Sequence, residues 1–226
     1  MVHNEYVQLV SACSQQLQEE IWGENPRALI SSSFRPVGKV EKTSDGYKLS
    51  TVSVPWAFSS GIDEASWLIV GGIVPGRGHT YFIVPRSVVT VIDDWYACGL
   101  AGTGSKSFTI AETFVPEYRT ISDQELNDGR GPGVTKDSPA ISRYPRKAGC
   151  GLAIAAVPLG AAVGMLNDFE QIARNAKRER APEDLGTALR LAECAAELDA
   201  ARGLMIGMTL PGFQRRLRMH GIDAVS

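Results

Sequence analysis

The sequence predicts an α+β protein with a β-rich middle between helical ends. Three observations lead there. Residues 4–22 repeat apolar side chains at helical spacing. From about Ser31 to Pro116, short β-branched and aromatic runs alternate with Gly, Pro, Asp and Ser breaks. Beyond residue 143, apolar stripes at helical spacing return.

In the first segment Val7, Val10, Leu17 and Ile21 share one helical face, with Ser14 in the gap. Asn4 suits an N-cap and Gly23 a stop, and Asn25-Pro26 opens a loop. The middle offers strands at 37–42, 47–54, 67–74, 80–84, 88–92 and 108–114, the first two joined by a Ser44-Asp45-Gly46 hairpin turn. Strands in succession without intervening helices indicate an antiparallel barrel or sandwich. Residues 121–143 are polar and rich in Gly and Pro and read as a linker loop. Leu152, Leu159, Val163, Leu166 and Phe169 then form a stripe running to about Ala176. The charged run 174–180 reads as a solvated inter-helix loop. A second helix is expected from Pro182, suited to a first turn, to about Met208, with Pro211-Gly212 ending it. The expected domains are 1–30, 31–120, 121–143 and 144–226. Two long helices joined by a short loop leave apolar surface that calls for partner helices, from this chain or another subunit.

The composition, 44% hydrophobic and 21% charged, is that of an ordinary globular chain. A net charge of -2 gives no sign of a nucleic-acid partner. Cys13, Cys98, Cys150 and Cys194 are far apart and form no CxxC pair, which indicates free thiols in a reducing compartment. The first residues lack the basic and apolar regions of a signal peptide, and no apolar run reads as membrane-spanning. A cytoplasmic protein with no membrane association is expected.

Two hydroxyl- and glycine-rich turns carry the functional signal. At 56–61, Trp-Ala-Phe-Ser-Ser-Gly joins an aromatic ring that could wall a ligand to hydroxyls that could meet a ring nitrogen or carbonyl. On composition alone, a strand-end turn with a core Trp explains it better. At 99–105, Gly-Leu-Ala-Gly-Thr-Gly-Ser allows close backbone approach. It is not a phosphate loop, because Ser105 separates Gly104 from Lys106 and a strand follows. Nor is it a dinucleotide fingerprint, because Ser107 stands where the last Gly belongs. Alone, it too reads as a β turn. His3, His79 and His220 have no metal-like spacing, so no metal site is expected, and His79 and His220 read as surface or capping residues.

Taken in order, however, the segments are similar to a known family. Val2-His3-Asn4, Gln18-Glu-Glu-Ile-Trp-Gly23, Ser31-Ser-Ser-Phe-Arg-Pro-Val-Gly38, Asp45-Gly-Tyr-Lys-Leu-Ser50, Trp56 to Asp63, Trp95, Gly99 to Ser105 and Phe114-Val-Pro116 form the series. It resembles the oxygenase component of two-component flavin-dependent aromatic hydroxylases with the acyl-CoA dehydrogenase fold, of the 4-hydroxyphenylacetate 3-hydroxylase and steroid-phenol hydroxylase types. The resemblance implies an antiparallel β-barrel middle domain, the end of an N-terminal helical domain and part of a C-terminal bundle, with shortening at both ends. It also implies reduced FMN or FAD from a separate flavin reductase. Oxygen then passes from O₂, through a flavin C4a-hydroperoxide, to a phenolic substrate. By position, His3 takes the place of a substrate-phenolate histidine, and Ser59 or Ser60 would lie near flavin N5. Ser33, with its neighbours Ser31 and Ser32, would face flavin and substrate, beside Trp56. Thr103, Gly104 and Ser105 would support the flavin. Lys106 replaces an expected acidic or amide residue. The family forms homo-oligomers, typically tetramers. Two other readings stand beside this one: an acyl-CoA dehydrogenase-type oxidoreductase, and a non-catalytic remnant that only oligomerises.

Overall fold

The fold is described from a computed structural model over residues 2–179 and 185–209. The chain divides into two compact units, Met1–Arg146 and Lys147–Ser226. Pro182, Pro211, Gly212 and His220 lie outside the described residues.

The first unit opens with helices α1 (Val2–Ser11) and α2 (Gln15–Trp22). The single helix expected over 4–22 is therefore broken, and Asn4 lies inside α1 rather than at its cap. Ser14 causes the break. Its hydroxyl accepts from Leu17 N and starts α2 as an N-cap. Backbone carbonyls freed at the break are taken up locally: Gln18 Nε2 donates to Ser11 O and Cys13 O, and Gly133 N donates to Ala12 O. Apolar periodicity runs through such a break without registering it.

Nine strands follow: β1 (Ile30–Lys42), β2 (Gly46–Ser50), β3 (Trp56–Ser59), β4 (Trp67–Val74), β5 (Gly78–Pro85), β6 (Val89–Ile92), β7 (Lys106–Ile110), β8 (Thr113–Pro116) and β9 (Thr120–Ser122). They form a six-stranded sheet, β8-β2-β1-β4-β5-β9, and a three-stranded sheet, β3-β7-β6. The pairs are antiparallel as expected, except β1 and β4, which run parallel from Ile30 beside Trp67. The chain leaves β2, contributes β3 to the other sheet, and returns as β4. β1 also starts earlier than expected, so Ser31 to Ser33 lie on a strand and not in a loop. Its register shifts between Ser33 and Gly38, where Pro36 has no N–H for the ladder. The 121–143 segment is more ordered than a linker: it holds β9, helix α3 (Asp123–Asn127) and a single helical turn at Ala140–Arg143.

β4 and β5 read as near-continuous apolar runs because both of their faces are buried. Ile69, Tyr81 and Ile83 face the α1–α2 pair, packing with Leu9, Leu17 and Ile21. Leu68, Val70, Phe82 and Val84 face the smaller sheet, packing with Trp56, Phe108 and Ile110. Trp56 is fully buried at the centre of this second core. Its ring stacks on Phe108 (centroids 5.7 Å apart, 9° between planes), and its Nε1 donates to Gly71 O at 3.1 Å. On its other side is Gly38, where a Cβ would fall 2.2 Å from Trp56 Cζ2.

The second unit holds α4 (Arg146–Glu179) and α5 (Leu185–Thr209). α4 includes residues 174–179 of the charged segment expected to be a loop. The stretch Arg146–Asn175 has a mean hydropathy of 1.9 in its most apolar window and is long and apolar enough to cross a membrane by length and composition, contrary to the sequence expectation. Met165, Phe169 and Ile172 of α4, and Leu189, Leu204 and Ile206 of α5, are exposed.

Two stability predictions follow from the first unit. Gly38→Ala overpacks Trp56 and should lower unfolding free energy by about 1–3 kcal/mol. Urea denaturation should show a lower midpoint at unchanged slope. The second concerns Glu125, which closes a capping box with Ser122 and meets Arg77 Nη2 at 3.0 Å. Burial pushes its carboxyl up, but the Ser122 hydroxyl and N–H and the Arg77 guanidinium outweigh that and hold it below the ordinary range. The folded state then binds this proton less readily than the unfolded chain does. The contribution is complete above the unfolded carboxylate's pKa and is lost as pH falls through the folded one. Glu125→Gln should lower stability at neutral pH and flatten the acid limb of a stability-versus-pH curve, so that the difference from wild type shrinks as pH falls through the folded pKa.

Candidate functional site

The two turns singled out in the sequence meet in space, and β1 joins them. β3 pairs with β7, Trp56 opposite Phe108 and Ser59 opposite Lys106, with an irregularity between the pairs. That pairing sets residues 56–61 beside the glycine-rich turn, and Gly61 N donates to Thr103 O at 2.8 Å. Ser33 Oγ donates to Ala57 O at 2.7 Å and ties β1 to β3.

Hydroxyl protons in this cluster have a definite direction, because a serine or threonine hydroxyl has one proton to give. Ser31 gives its proton to the Ser60 carbonyl at 2.8 Å. Ser59 is therefore the donor in its 2.7 Å contact with Ser31. Thr103 Oγ1 gives its proton to Leu100 O at 2.9 Å, so Ser105 donates to Thr103 at 2.7 Å. Ser60 in turn donates to Ser105, also at 2.7 Å. Both chains end on a backbone carbonyl. The hydroxyls that start them, Ser59 and Ser60, have spent their protons and keep lone pairs to offer. Ser59 is completely buried, whereas Ser60 is half-buried, so of the two only Ser60 is partly open to solvent.

The glycine-rich turn contains a single helical turn at Ala101–Thr103 flanked by two left-handed residues, Leu100 (φ 57°) and Gly104 (φ 51°). Cβ atoms at Gly99 and Gly102 would meet nothing within 4 Å, so the protein does not need these glycines for its own packing. Lys106 bridges Asp63 and Asp93, each at 3.1 Å, across the two turns. Hydrogen bonds to Asp63 and Asp93 hold its ammonium above its ordinary pKa. Asp94 caps the start of β7 by accepting from Ser107 N at 2.8 Å, and hydrogen bonding to Ser107 keeps its carboxyl low.

The structure thus brings together Ser31, Ser33, Ser59, Ser60, Thr103, Gly104 and Ser105. Trp56 does not join them as a ligand wall. Its ring is enclosed by the core, as the simpler reading of that turn held. His3 belongs to α1, and its side chain lies outside the described residues. His79 is structural: its Nε2 lies 2.9 Å from Phe34 O, and its ring packs on Tyr81. Sequence reasoning missed Phe58, a non-glycine residue with φ of 62° whose ring is 68% exposed. That conformation costs a residue of this kind roughly 1–3 kcal/mol. No residue pattern in the sequence announces it.

Comparison with known proteins finds relatives in sequence and in fold. Residues 152–210 match the family model for the acyl-CoA dehydrogenase C-terminal domain. The chain is 36% identical over 217 residues to the flavin-dependent monooxygenase oxygenase subunit HsaA of Mycobacterium tuberculosis, covering 91% of this chain and 53% of that protein. It is 31% identical over 212 residues to the oxygenase component of an FADH(2)-dependent resorcinol hydroxylase of a Rhizobium species, covering 88% and 51% respectively. The solved structure of a 3-HSA hydroxylase from Rhodococcus sp. RHA1 superposes with a TM-score of 0.80 at 28% identity, over 99% of this chain and 58% of that one. The chain spans about half the length of the curated relatives it matches.

The Ser31–Ser59 contact is testable by stability. Ser31→Ala leaves the buried Ser59 proton without an acceptor and should cost about 1–3 kcal/mol. Ser60→Ala removes a half-buried end of its chain and should cost less than half as much by the same denaturation assay.

Proposed function

Because this chain is related in sequence and fold to the oxygenase subunits of flavin-dependent monooxygenases, we propose that it forms the flavin-facing part of such an oxygenase, acting on a phenolic ring. The observation that carries the reading is the fixed direction of the hydroxyl protons, which leaves Ser60 as an acceptor beside a glycine-rich turn.

An acceptor at that place suits a partner carrying an N–H. A reduced flavin has one at N5, where oxidised flavin has only a lone pair. The residues present therefore fit the reduced cofactor. Ser60 would hold the N–H edge, with Ser105 and Thr103 fixing the Ser60 hydroxyl behind it. Ser31 and Ser59 hold the backbone of the 56–61 turn, through the Ser60 carbonyl. Gly99 and Gly102 leave room for a flat ring against the backbone. When bound, reduced flavin would supply the two electrons that activate O₂, the source of the oxygen atom that a phenol takes up. The protein's part is to seat it, exclude water and hold it still. Ser33 lies beside this cluster on β1, and His3 remains the candidate for the phenolate.

In this reading a separate reductase delivers the reduced FMN or FAD. The four cysteines are free thiols, which supports a cytoplasmic setting. The exposed apolar side chains of α4 and α5, in a segment matching a C-terminal helical domain, support helix–helix association in a homo-oligomer rather than a membrane span.

Anaerobic titration with FMN and FAD in both redox states tests the reading. Reduced flavin should bind about tenfold more tightly than oxidised flavin, the size of one hydrogen bond to a group that is otherwise left unpaired. Ser60→Ala should remove most of that preference. Absence of binding by either flavin in either state would sink the proposal.

A further inference from the structure

Thr103 is where the two turns are joined. Its backbone carbonyl accepts from Gly61 N at 2.8 Å, which ties the glycine-rich turn to the end of the 56–61 turn. Its own turn closes on the Leu100 carbonyl, which takes the Thr103 N–H at 3.0 Å and the Thr103 hydroxyl at 2.9 Å. Trp95 Nε1 reaches the same oxygen at 3.3 Å, so the hydroxyl makes the shortest of these contacts. The Thr103 hydroxyl proton is therefore fixed within its own turn.

That fixed proton governs what lies two hydroxyls further on. Ser105 is buried, and its Oγ lies 2.7 Å from Thr103 Oγ1 and 2.7 Å from Ser60 Oγ. Because Thr103 gives its proton to Leu100, Ser105 gives its own to Thr103 and can only accept from Ser60. Without the Thr103 hydroxyl the order of donors reverses. The remaining side-chain contact of Ser105 is then Ser60 Oγ. A buried hydroxyl proton left without an acceptor is costly, so Ser105 would donate to Ser60, and Ser60 would turn its own proton outward.

We propose that Thr103 is a positioning residue that sets which redox state of the flavin the site prefers, acting through Ser105 on the direction of the Ser60 proton. The inference rests on the flavin reading above. With the Thr103 hydroxyl in place, Ser60 presents a lone pair, which suits the N5–H of reduced flavin. Without it, Ser60 presents a proton, which suits the N5 lone pair of oxidised flavin, and reduced flavin would strand a proton on Ser60 or Ser105. Thr103 need not touch the ring to do this. A preference for the reduced state raises the two-electron potential of bound flavin by about 30 mV for each factor of ten. It also lets the site take up reduced flavin and release it once oxidised, as supply by a separate reductase requires.

The test titrates the full chain anaerobically with FMN and FAD in both redox states, and reads the ratio of the two dissociation constants. The proteins are wild type, Thr103→Val, Thr103→Ser, and Ser60→Ala with and without Thr103→Val. A merely structural role for Thr103 would weaken both states alike and leave the ratio unmoved. The wild type should favour reduced flavin about tenfold and Thr103→Val should favour oxidised flavin about tenfold. That inversion lowers the bound flavin's potential by about 60 mV. Thr103→Ser should restore the wild-type ratio. On the Ser60→Ala background Thr103→Val should leave the ratio unchanged, because the hydroxyl it acts through is gone. If the wild type binds flavin and Thr103→Val keeps its ratio, or shifts the ratio equally on the Ser60→Ala background, the role of Thr103 is overturned and the flavin reading survives. If the wild type binds no flavin, both fall.

Discussion

The enclosure of Trp56 is the constraint on which the rest of the first unit depends. Its indole occupies a slot between Gly38 of β1 and Phe108 of β7, and its N–H is satisfied by the Gly71 carbonyl of β4. One side chain therefore touches three strands besides its own and joins the two sheets. The slot exists only because glycine stands at 38. A Cβ at Gly71 would fall 2.1 Å from the Phe34 carbonyl, so the parallel β1–β4 pair needs that glycine as well. Losing such a ring from a core costs about 3–5 kcal/mol, comparable to a large part of a domain's net stability. Since β3 begins at Trp56, the anchored indole also sets where Ala57 to Gly61 emerge. The site is as well placed as the tryptophan is.

From that anchor the chemistry of the turn is nearly determined. Ser59 lies three residues on from the fixed ring and reaches back to Ser31 on β1, while Ser60 reaches forward to Ser105. The two serines thus stitch the strand to opposite neighbours, and each uses its only proton in doing so. What remains at the surface is acceptor capacity. A site built of serines and a threonine is usually read as able to donate or accept at will. Here the carbonyls of Ser60 and Leu100 end the chains and remove that freedom. Polarity thus arises without any charged group at the centre. Lys106, Asp63 and Asp93 lie at the margin, where they fix the two turns to one another.

How much of this was legible depended on the physical kind of signal. β4 and β5 stand out because strands buried on both faces have no polar alternation to blur them. The first part of β1 was missed because Ser31, Ser32 and Ser33 look like a loop; they are buried by their hydroxyl contacts, not by hydrophobicity. The α1–α2 break was hidden because Leu9, Val10, Leu17 and Ile21 stay on one face across it. For the site, Ser31, Ser59, Ser60 and Ser105 are scattered in sequence and unremarkable singly. Their meeting was foreseen only through the family resemblance, which recorded the order of the segments. Proton direction, the enclosure of Trp56 and the left-handed Phe58 depend on three-dimensional neighbours, and no periodicity encodes them.

The two units also differ in what they leave unfinished. In the first, the hydrophobic cores on both faces of the large sheet are closed, and the hydroxyl cluster draws every partner from β1, β3 and the 99–105 turn of that same unit. In the second, α4 and α5 leave Met165, Phe169, Leu189 and Leu204 exposed, and an apolar groove of about 710 Å³ runs along Leu166, Phe169, Leu191 and Leu198. Exposed apolar surface of this kind drives association. The hydroxyl cluster is thus an intrinsic product of the β unit's folding, whereas the described helices leave apolar surface uncovered. The arrangement of Ser60, Ser105 and Thr103 therefore depends on Trp56 holding its slot and not on what covers the apolar side chains of α4 and α5.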